Sequence, residues 1–288
     1  MQLSLMAANV PWASRCADQE QSMSERITTS IENHVATVTL NRADKRNAVD
    51  TAMFDAILAT AKALEADSSV RAVVLHGDGG HFCAGIDISV FQGVGIGEKS
   101  GDSLKPLEGS TANYFQSASL VWRELPVPVL AALEGTTFGA GLQIAMGADM
   151  RYAGPDTKMS VMEIKWGLIP DMGITSTLPG VVPQDKAREM AYTGQILSAQ
   201  EALAAGLVTE VVDDPLQKAQ EVAAEIAAKS PDAIRFIKKL FNESWKGDPA
   251  TALRREADLQ AKVMAGENQA EAARANMEKR PPKFSDPE

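Results

Sequence analysis

The chain has 288 residues, 45% hydrophobic and 23% charged, a composition that suits a globular protein with a full core and excludes disordered, collagen-like and low-complexity classes. With 28 Lys and Arg against 38 Asp and Glu the net charge is −10, which disfavours nucleic-acid backbones and anionic membrane surfaces as partners. Two cysteines, Cys16 and Cys83, and three histidines, His34, His76 and His81, supply neither a disulfide framework nor a metal cluster; the expectation is a reducing, cytoplasmic setting with no metal. No apolar run approaches the roughly 20 residues of a membrane helix, so no membrane partner is expected.

Residues 1–25 carry no sustained period and read as a flexible tail, with Met23 as an alternative start. From Arg26 the β-formers Ile27–Ile31 and Val35–Leu40 alternate about Asn33-His34, the pattern of a hairpin. Asp50 then caps a predicted helix to about Ala66, with Met53, Ile57, Ala61 and Leu64 at helical spacing. Val70–Leu75 reads as a short buried strand, and the Gly/Ser-rich run from Gln92 to Ser110 as a mobile segment. A helix from about Thr111 to Leu125, a strand at Val129–Leu133, a helix opening near Gly139 and a strand at Met150–Ala153 follow, then a further βα unit through Lys158–Leu178. Beyond a short strand at Leu207–Val212 the chain turns helical, over Asp214–Ala228, Pro231–Ser244 and Pro249 to about Lys279. The expected organisation is a tail to 25, an α/β core over 26–213 and a helical region over 214–288. Three helices with apolar stripes and no strands to cover point to a subunit interface.

Two glycine-containing turns end strands, Cys83-Ala84-Gly85 and Phe138-Gly139-Ala140-Gly141. Small residues there admit a ligand close to the backbone, and N–H groups at a helix start lack intrahelical acceptors, so such turns suit an oxyanion. Downstream stand two carboxylates, Glu163 among apolar neighbours and Asp171 after Pro170. Apolar surroundings raise a carboxyl pKa toward the range of a general base, while a buried ion pair for Glu163 and a helix cap for Asp171 are the plain structural alternatives. Neither a GxSxG elbow nor a zinc signature such as HExxH occurs.

Four segments in order, Leu40-Asn-Arg-Ala-Asp-Lys-Arg-Asn-Ala-Val49, His81-Phe-Cys-Ala-Gly-Ile-Asp-Ile88, Gly135-Thr-Thr-Phe-Gly-Ala-Gly-Leu-Gln143 and Met159-Ser-Val-Met-Glu-Ile-Lys-Trp-Gly-Leu-Ile-Pro170, resemble the signatures of the crotonase superfamily of enoyl-CoA hydratases and isomerases. The resemblance implies a ββα spiral core, a helical C-terminal trimerisation region, a homotrimer or dimer of trimers, and an acyl-CoA substrate whose CoA is the only cofactor-like group. It implies an oxyanion hole from the N–H groups of Ala84 and Ala140. Lys45, Arg46, Ala48 and the loop of Gly85, Ile86, Asp87 and Ile88 would line the CoA portion, with Gly139 and Gln143 beside the thioester.

Hydratases of this family carry one glutamate at the position of Gln143 and another at that of Glu163. An amide cannot take or give a catalytic proton, so the expected reaction is a double-bond shift in an enoyl- or dienoyl-CoA, with Glu163 as base and Asp171 as distal acid or proton shuttle. The eight-residue spacing of Glu163 and Asp171 is similar to the pair of dienoyl-CoA isomerases, although those enzymes also have Asp where this chain has Gln143. Enoyl-CoA hydration is the alternative. An RNA-binding reading, as for superfamily members with a basic helix, would rest here only on Lys238-Lys239 in an acidic chain.

Overall fold

The computed structural model describes residues 26–87, 90, 104–245 and 247–287. The expected tail, and all but the end of the run expected to be mobile, lie outside them.

Strands β1 (Ile27–Glu32) and β2 (Val35–Leu40) form the expected hairpin, with Ile27 opposite Leu40. Its two-residue turn has Asn33 and His34 at φ 48° and 69°, the left-handed pair that matches strand twist. Helix α1 (Thr51–Ala66) begins where Asp50 accepts from the Met53 N–H at 2.9 Å. Strand β3 (Ala72–Gly77) starts two residues later than expected, its register running from Val35 opposite Ala72 to Leu40 opposite Gly77. Helix α2 (Tyr114–Glu124) also starts late, because the Asn113 side chain takes the Gln116 N–H and Gln116 reaches back in a capping box.

Strands β4 (Val129–Leu133), β5 (Thr136–Phe138), β6 (Met150–Ala153) and β7 (Lys158–Ser160) follow, with the short helix α3 (Ala140–Met146) between β5 and β6. After a 3-10 turn at Glu163–Trp166 come α4 (Ile174–Thr177), α5 (Gln184–Thr193), β8 (Leu197–Ser198), α6 (Ala199–Ala205) and β9 (Glu210–Val211). One sheet has the order β1-β2-β3-β4-β6-β9, parallel from β2 onward, and a second has β5-β7-β8.

The central strands are apolar throughout because both faces are covered. Val73 and Leu75 of β3, with Val129, Ala131 and Leu133 of β4, join the main core with α1 and α2. The alternate residues Ala72, Val74, Leu130 and Ala132 join a second core against α7 (Pro215–Ala227), where Ala219, Ala223 and Ala227 form one flat stripe. Helix α7 therefore covers the sheet, contrary to the expectation that the C-terminal helices have no strand beneath them.

Helices α8 (Pro231–Ser244), α9 (Pro249–Met264) and α10 (Glu267–Met277) pack on one another. The single helix expected over Pro249–Lys279 is two, broken at Ala265-Gly266. Beyond the break Asn268 fixes α10 by donating to Asp232 Oδ2 at 2.8 Å and to the Ser285 carbonyl at 3.0 Å. Lys238 does not form a surface pair with Lys239: it is buried, with Nζ donating to the Trp122 and Val127 carbonyls. No helix among the described residues is long and apolar enough to cross a membrane.

Candidate active site

Pairing of β5 with β7 sets Phe138 beside Ser160, so the Gly139-Ala140 turn and Glu163 leave adjacent strands together. The Cys83–Asp87 segment runs along the other side of β5. Cys83 donates to the Thr136 carbonyl at 3.0 Å and accepts from the Phe138 N–H at 3.0 Å. Beyond it, Val49 donates to the Gly85 carbonyl at 2.8 Å and Asp87 donates back to the Val49 carbonyl at 3.0 Å.

This register decides which N–H groups remain for a ligand. The Ala84 N–H donates to the Arg46 carbonyl at 2.9 Å, so the oxyanion role expected of Ala84 is not open to it. The Gly85 N–H points to Cys83 Sγ at 3.5 Å. Ile86 is the residue of the segment whose N–H meets no acceptor among the described residues, and Ala140, first in α3, likewise has none. The two turns touch: at Gly85, φ +103°, an added Cβ would lie 3.0 Å from the Phe138 carbonyl oxygen and 3.9 Å from the Ala140 nitrogen. Among the described residues of the two turns, the structure therefore leaves the N–H groups of Ile86 and Ala140 open to a ligand and not that of Ala84.

Glu163 lies beside Ala140, since a Cβ on Gly139, φ +52°, would sit 3.4 Å from Glu163 Oε1. That oxygen accepts from Gln143 Nε2 at 2.6 Å, and Gln143 Oε1 accepts from the Met172 N–H at 2.8 Å. Glu163 Oε2 is buried without a hydrogen-bond partner among the described residues. Burial pushes the Glu163 carboxyl up from the usual carboxylate range and the charge of Asp171 adds to this, while hydrogen bonds from its own backbone and from Gln143 pull the other way. Asp171 is exposed at the rim, and partial desolvation by the cavity wall raises its carboxyl too.

All of these groups border one cavity of about 690 Å³. Of the residues expected there, Gly139, Ala140, Gln143, Glu163 and Asp171 line it, as do Lys45, Ala48, Ala84, Gly85, Ile86 and Asp87. Arg46 does not: its side chain is exposed, and it contributes the backbone carbonyl that holds Ala84. Ile88 lies outside the described residues. Leu104, in the run Gln92–Ser110 that the sequence reading places beside the acyl pocket, lines it too; that reading missed the rest of the apolar wall, Phe115, Phe138, Met162, Trp166, Leu168, Ile169 and Met172. It also missed Arg42, which pairs with Asp87 at 2.6 Å and donates to the Ala48 carbonyl at 2.8 Å, joining the two loops of the wall. The histidines are structural, His76 bonded to Thr39 Oγ1 at 2.8 Å and His81 accepting from the Thr136 N–H at 3.1 Å.

A carboxylate of raised pKa in one cavity wall with two N–H groups that have no acceptor among the described residues can remove a proton next to a carbonyl and hold the resulting enolate. The chain belongs to the enoyl-CoA hydratase/isomerase family, whose model matches residues 30–287. Its mixed α/β core and helical C-terminal region are those of the crotonase superfamily. The chain is 34% identical over 253 residues to enoyl-CoA hydratase EchA19 of Mycobacterium tuberculosis, covering 87% of this chain and 93% of that one. It is 31% identical over 268 residues to 1,2-epoxyphenylacetyl-CoA isomerase of Escherichia coli, covering 91% and 99%. The crystal structure of an enoyl-CoA hydratase from Bacillus anthracis superposes with a TM-score of 0.84 at 28% identity, over 91% of this chain and all of the other.

Proposed function

We propose that the protein is an acyl-CoA isomerase that moves a double bond in an enoyl- or dienoyl-CoA. The observation that carries the choice over hydration is the state of Gln143: its oxygen is taken by the Met172 N–H and its nitrogen by Glu163, and neither end exchanges a proton at working pH. Among the described residues, Glu163 is then the acid-base group beside the Gly139-Ala140 turn, where the thioester would sit.

In the proposed reaction the Glu163 carboxylate takes a proton from C2, and the electron pair passes onto the thioester oxygen, held by the N–H groups of Ile86 and Ala140. On a 3-enoyl-CoA, Glu163 returns the proton to C4 and the double bond settles between C2 and C3. On a 3,5-dienoyl-CoA the proton enters at C6 from Asp171, leaving Glu163 protonated and Asp171 ionised until solvent exchange resets both. The raised Asp171 carboxyl suits a donor at the rim. Under this reading coenzyme A enters as part of the substrate, no further cofactor or metal is required, and the enzyme works in the cytoplasm.

Hydration of a 2-enoyl-CoA is the second reading, favoured by relatives named as hydratases. Product-resolved assays on crotonyl-CoA, a 3-enoyl-CoA and a 3,5-dienoyl-CoA separate the two. Efficient hydration with no isomerisation of either substrate overturns the proposal. The assembly proposed is a trimer or dimer of trimers, supported by the exposed Ile237 and Phe241 of α8 and Trp245 just after its end; a stable monomer in sedimentation at micromolar concentration argues against it.

A further inference from the structure

The buried amide of Gln143 is fixed in direction as well as place. Its oxygen must face the Met172 N–H, 2.8 Å away, because a backbone N–H only donates. The NH2 group is thereby turned toward Glu163 Oε1 at 2.6 Å, and an NH2 group only donates. The relay runs one way, from the Met172 backbone through Gln143 to a carboxylate that must be the acceptor.

We infer that Gln143 is the positioning residue of this site, holding Glu163 as an ionised base with Oε1 tied and Oε2 left for the substrate proton. The inference deepens the isomerase reading and rests on it for the role of Glu163. Three features of the geometry support it. Gln143 is buried, which shields its amide from bulk solvent. Gly139 leaves Oε1 room to meet Gln143, since a Cβ there would sit 3.4 Å from that oxygen. The unpartnered Oε2 is the atom that a relay from one side would leave unspent. Other charged groups do not substitute for the donor. Asp171 repels the Glu163 charge when ionised and is neutral when it carries the proton it donates, so in neither state does it hold Glu163 ionised. Asp87, on the facing loop, is paired with Arg42, and Lys165, on Glu163's own turn, sits over the Trp166 ring at 5.9 Å. Lys45 is the remaining cation among the described residues of the wall, and no hydrogen bond or ion pair joins it to Glu163 among them.

A glutamate at 143 would keep the bond from Met172 but turn a second carboxylate oxygen onto Glu163, and the two acids would have to share one proton. An amide leaves a single base that can be loaded and unloaded alone.

The test is a carbon-13 titration of the side-chain carboxyls in the intact protein, with the Glu163 signal identified by its loss in Glu163→Gln, alongside the pH profile of kcat/KM on a 3-enoyl-CoA. Gln143→Met keeps the bulk and removes the donor. It should raise the Glu163 midpoint by about one pH unit or more and move the acidic limb of kcat/KM by the same amount. A merely structural role would lower the rate at all pH values and leave the midpoint unmoved, and an unmoved midpoint overturns the inference. Should Gln143→Met not fold, Gln143→Glu serves: a pair of widely split midpoints supports the relay, and two independent midpoints in the ordinary carboxyl range overturn it. Full turnover by Glu163→Gln would sink the base reading instead, a result distinct from any shift in the midpoint.

Discussion

The Lys238 ammonium lies 2.8 Å from Asp149 Oδ2, joining helix α8 to the turn before β6. Asp149 in turn accepts from the Val129 N–H at 2.8 Å, and Lys238 also donates to the Trp122 and Val127 carbonyls at 3.0 and 2.8 Å. Burial pushes the lysine pKa down and the Asp149 charge pulls it back. Lys238→Met should therefore leave a carboxylate and two carbonyls short of a donor and destabilise the fold by about 3 kcal/mol. Denaturant unfolding followed by circular dichroism measures this; a loss below about 1 kcal/mol would show that solvent replaces the lysine at little cost.

Turnover should depend on the Ala140 N–H. Ala140→Pro deletes the donor at the first position of α3, where proline's φ is accepted and no intrahelical bond is lost. Gly139 before it has φ 52° and ψ −120°, the mirror image of the extended region that residues preceding proline favour, and glycine occupies either. A folded variant should lose about 10²- to 10³-fold in kcat. Near wild-type turnover would remove the N–H from the mechanism.

What the sequence makes legible follows from how far its physical causes reach. The Asn33-His34 turn, the Asp50 cap and the apolar run Val129–Leu133 are decided by a few neighbouring residues, and each stands as expected. The Ala84 donor was misassigned because its partner is the Arg46 carbonyl, nearly forty positions away along the chain; only the register between Val49 and Ile86 shows which N–H is spent. Phe115 was missed for a related reason. It packs against the main core as any apolar residue of α2 does, and only the tertiary fold brings it to the cavity wall. Lys238 looks like half of a basic surface pair until α8 is docked.

Cys83 should be inert in the native protein. It is completely buried, and burial raises its thiol to about 12, so the thiolate that alkylating reagents attack is scarcely populated at neutral pH. Iodoacetamide at pH 7.5, followed by peptide mapping, should leave Cys83 unmodified in the folded protein and label it in denaturant. Labelling at equal rates in both states would contradict the packing of this segment against β5.

Ionised Glu163 should cost the fold stability. Its native pKa is raised above the ordinary 4.5, so between the two values the native state holds more protons than the unfolded chain, and stability falls as pH rises through that window. Glu163→Gln abolishes the ionisation while an amide oxygen can still accept from Gln143. The variant should melt higher than wild type at pH 7, and the difference should close as the pH is lowered toward 4.5. A lower melting temperature for the variant at pH 7 would mean that the Gln143 contact outweighs the desolvation.

The two carboxylates should separate by substrate. If Glu163 takes the C2 proton in every reaction, Glu163→Gln should lose about 10³-fold or more on both a 3-enoyl- and a 3,5-dienoyl-CoA. Asp171 stands at the rim, in the cavity wall but without a hydrogen bond to Glu163. That position suits delivery of a proton far from C2, and it has no part in returning one to C4. Asp171→Asn should accordingly keep most of its rate on the 3-enoyl-CoA and lose about 10²-fold on the dienoyl substrate. The wild-type rate on both should fall as the pH drops through the raised Glu163 pKa, because the base is then protonated, and with Asp171→Asn this acidic limb should remain. Parallel losses on the two substrates would place Asp171 in support of Glu163 instead, and a variant unimpaired on either would remove it from the chemistry.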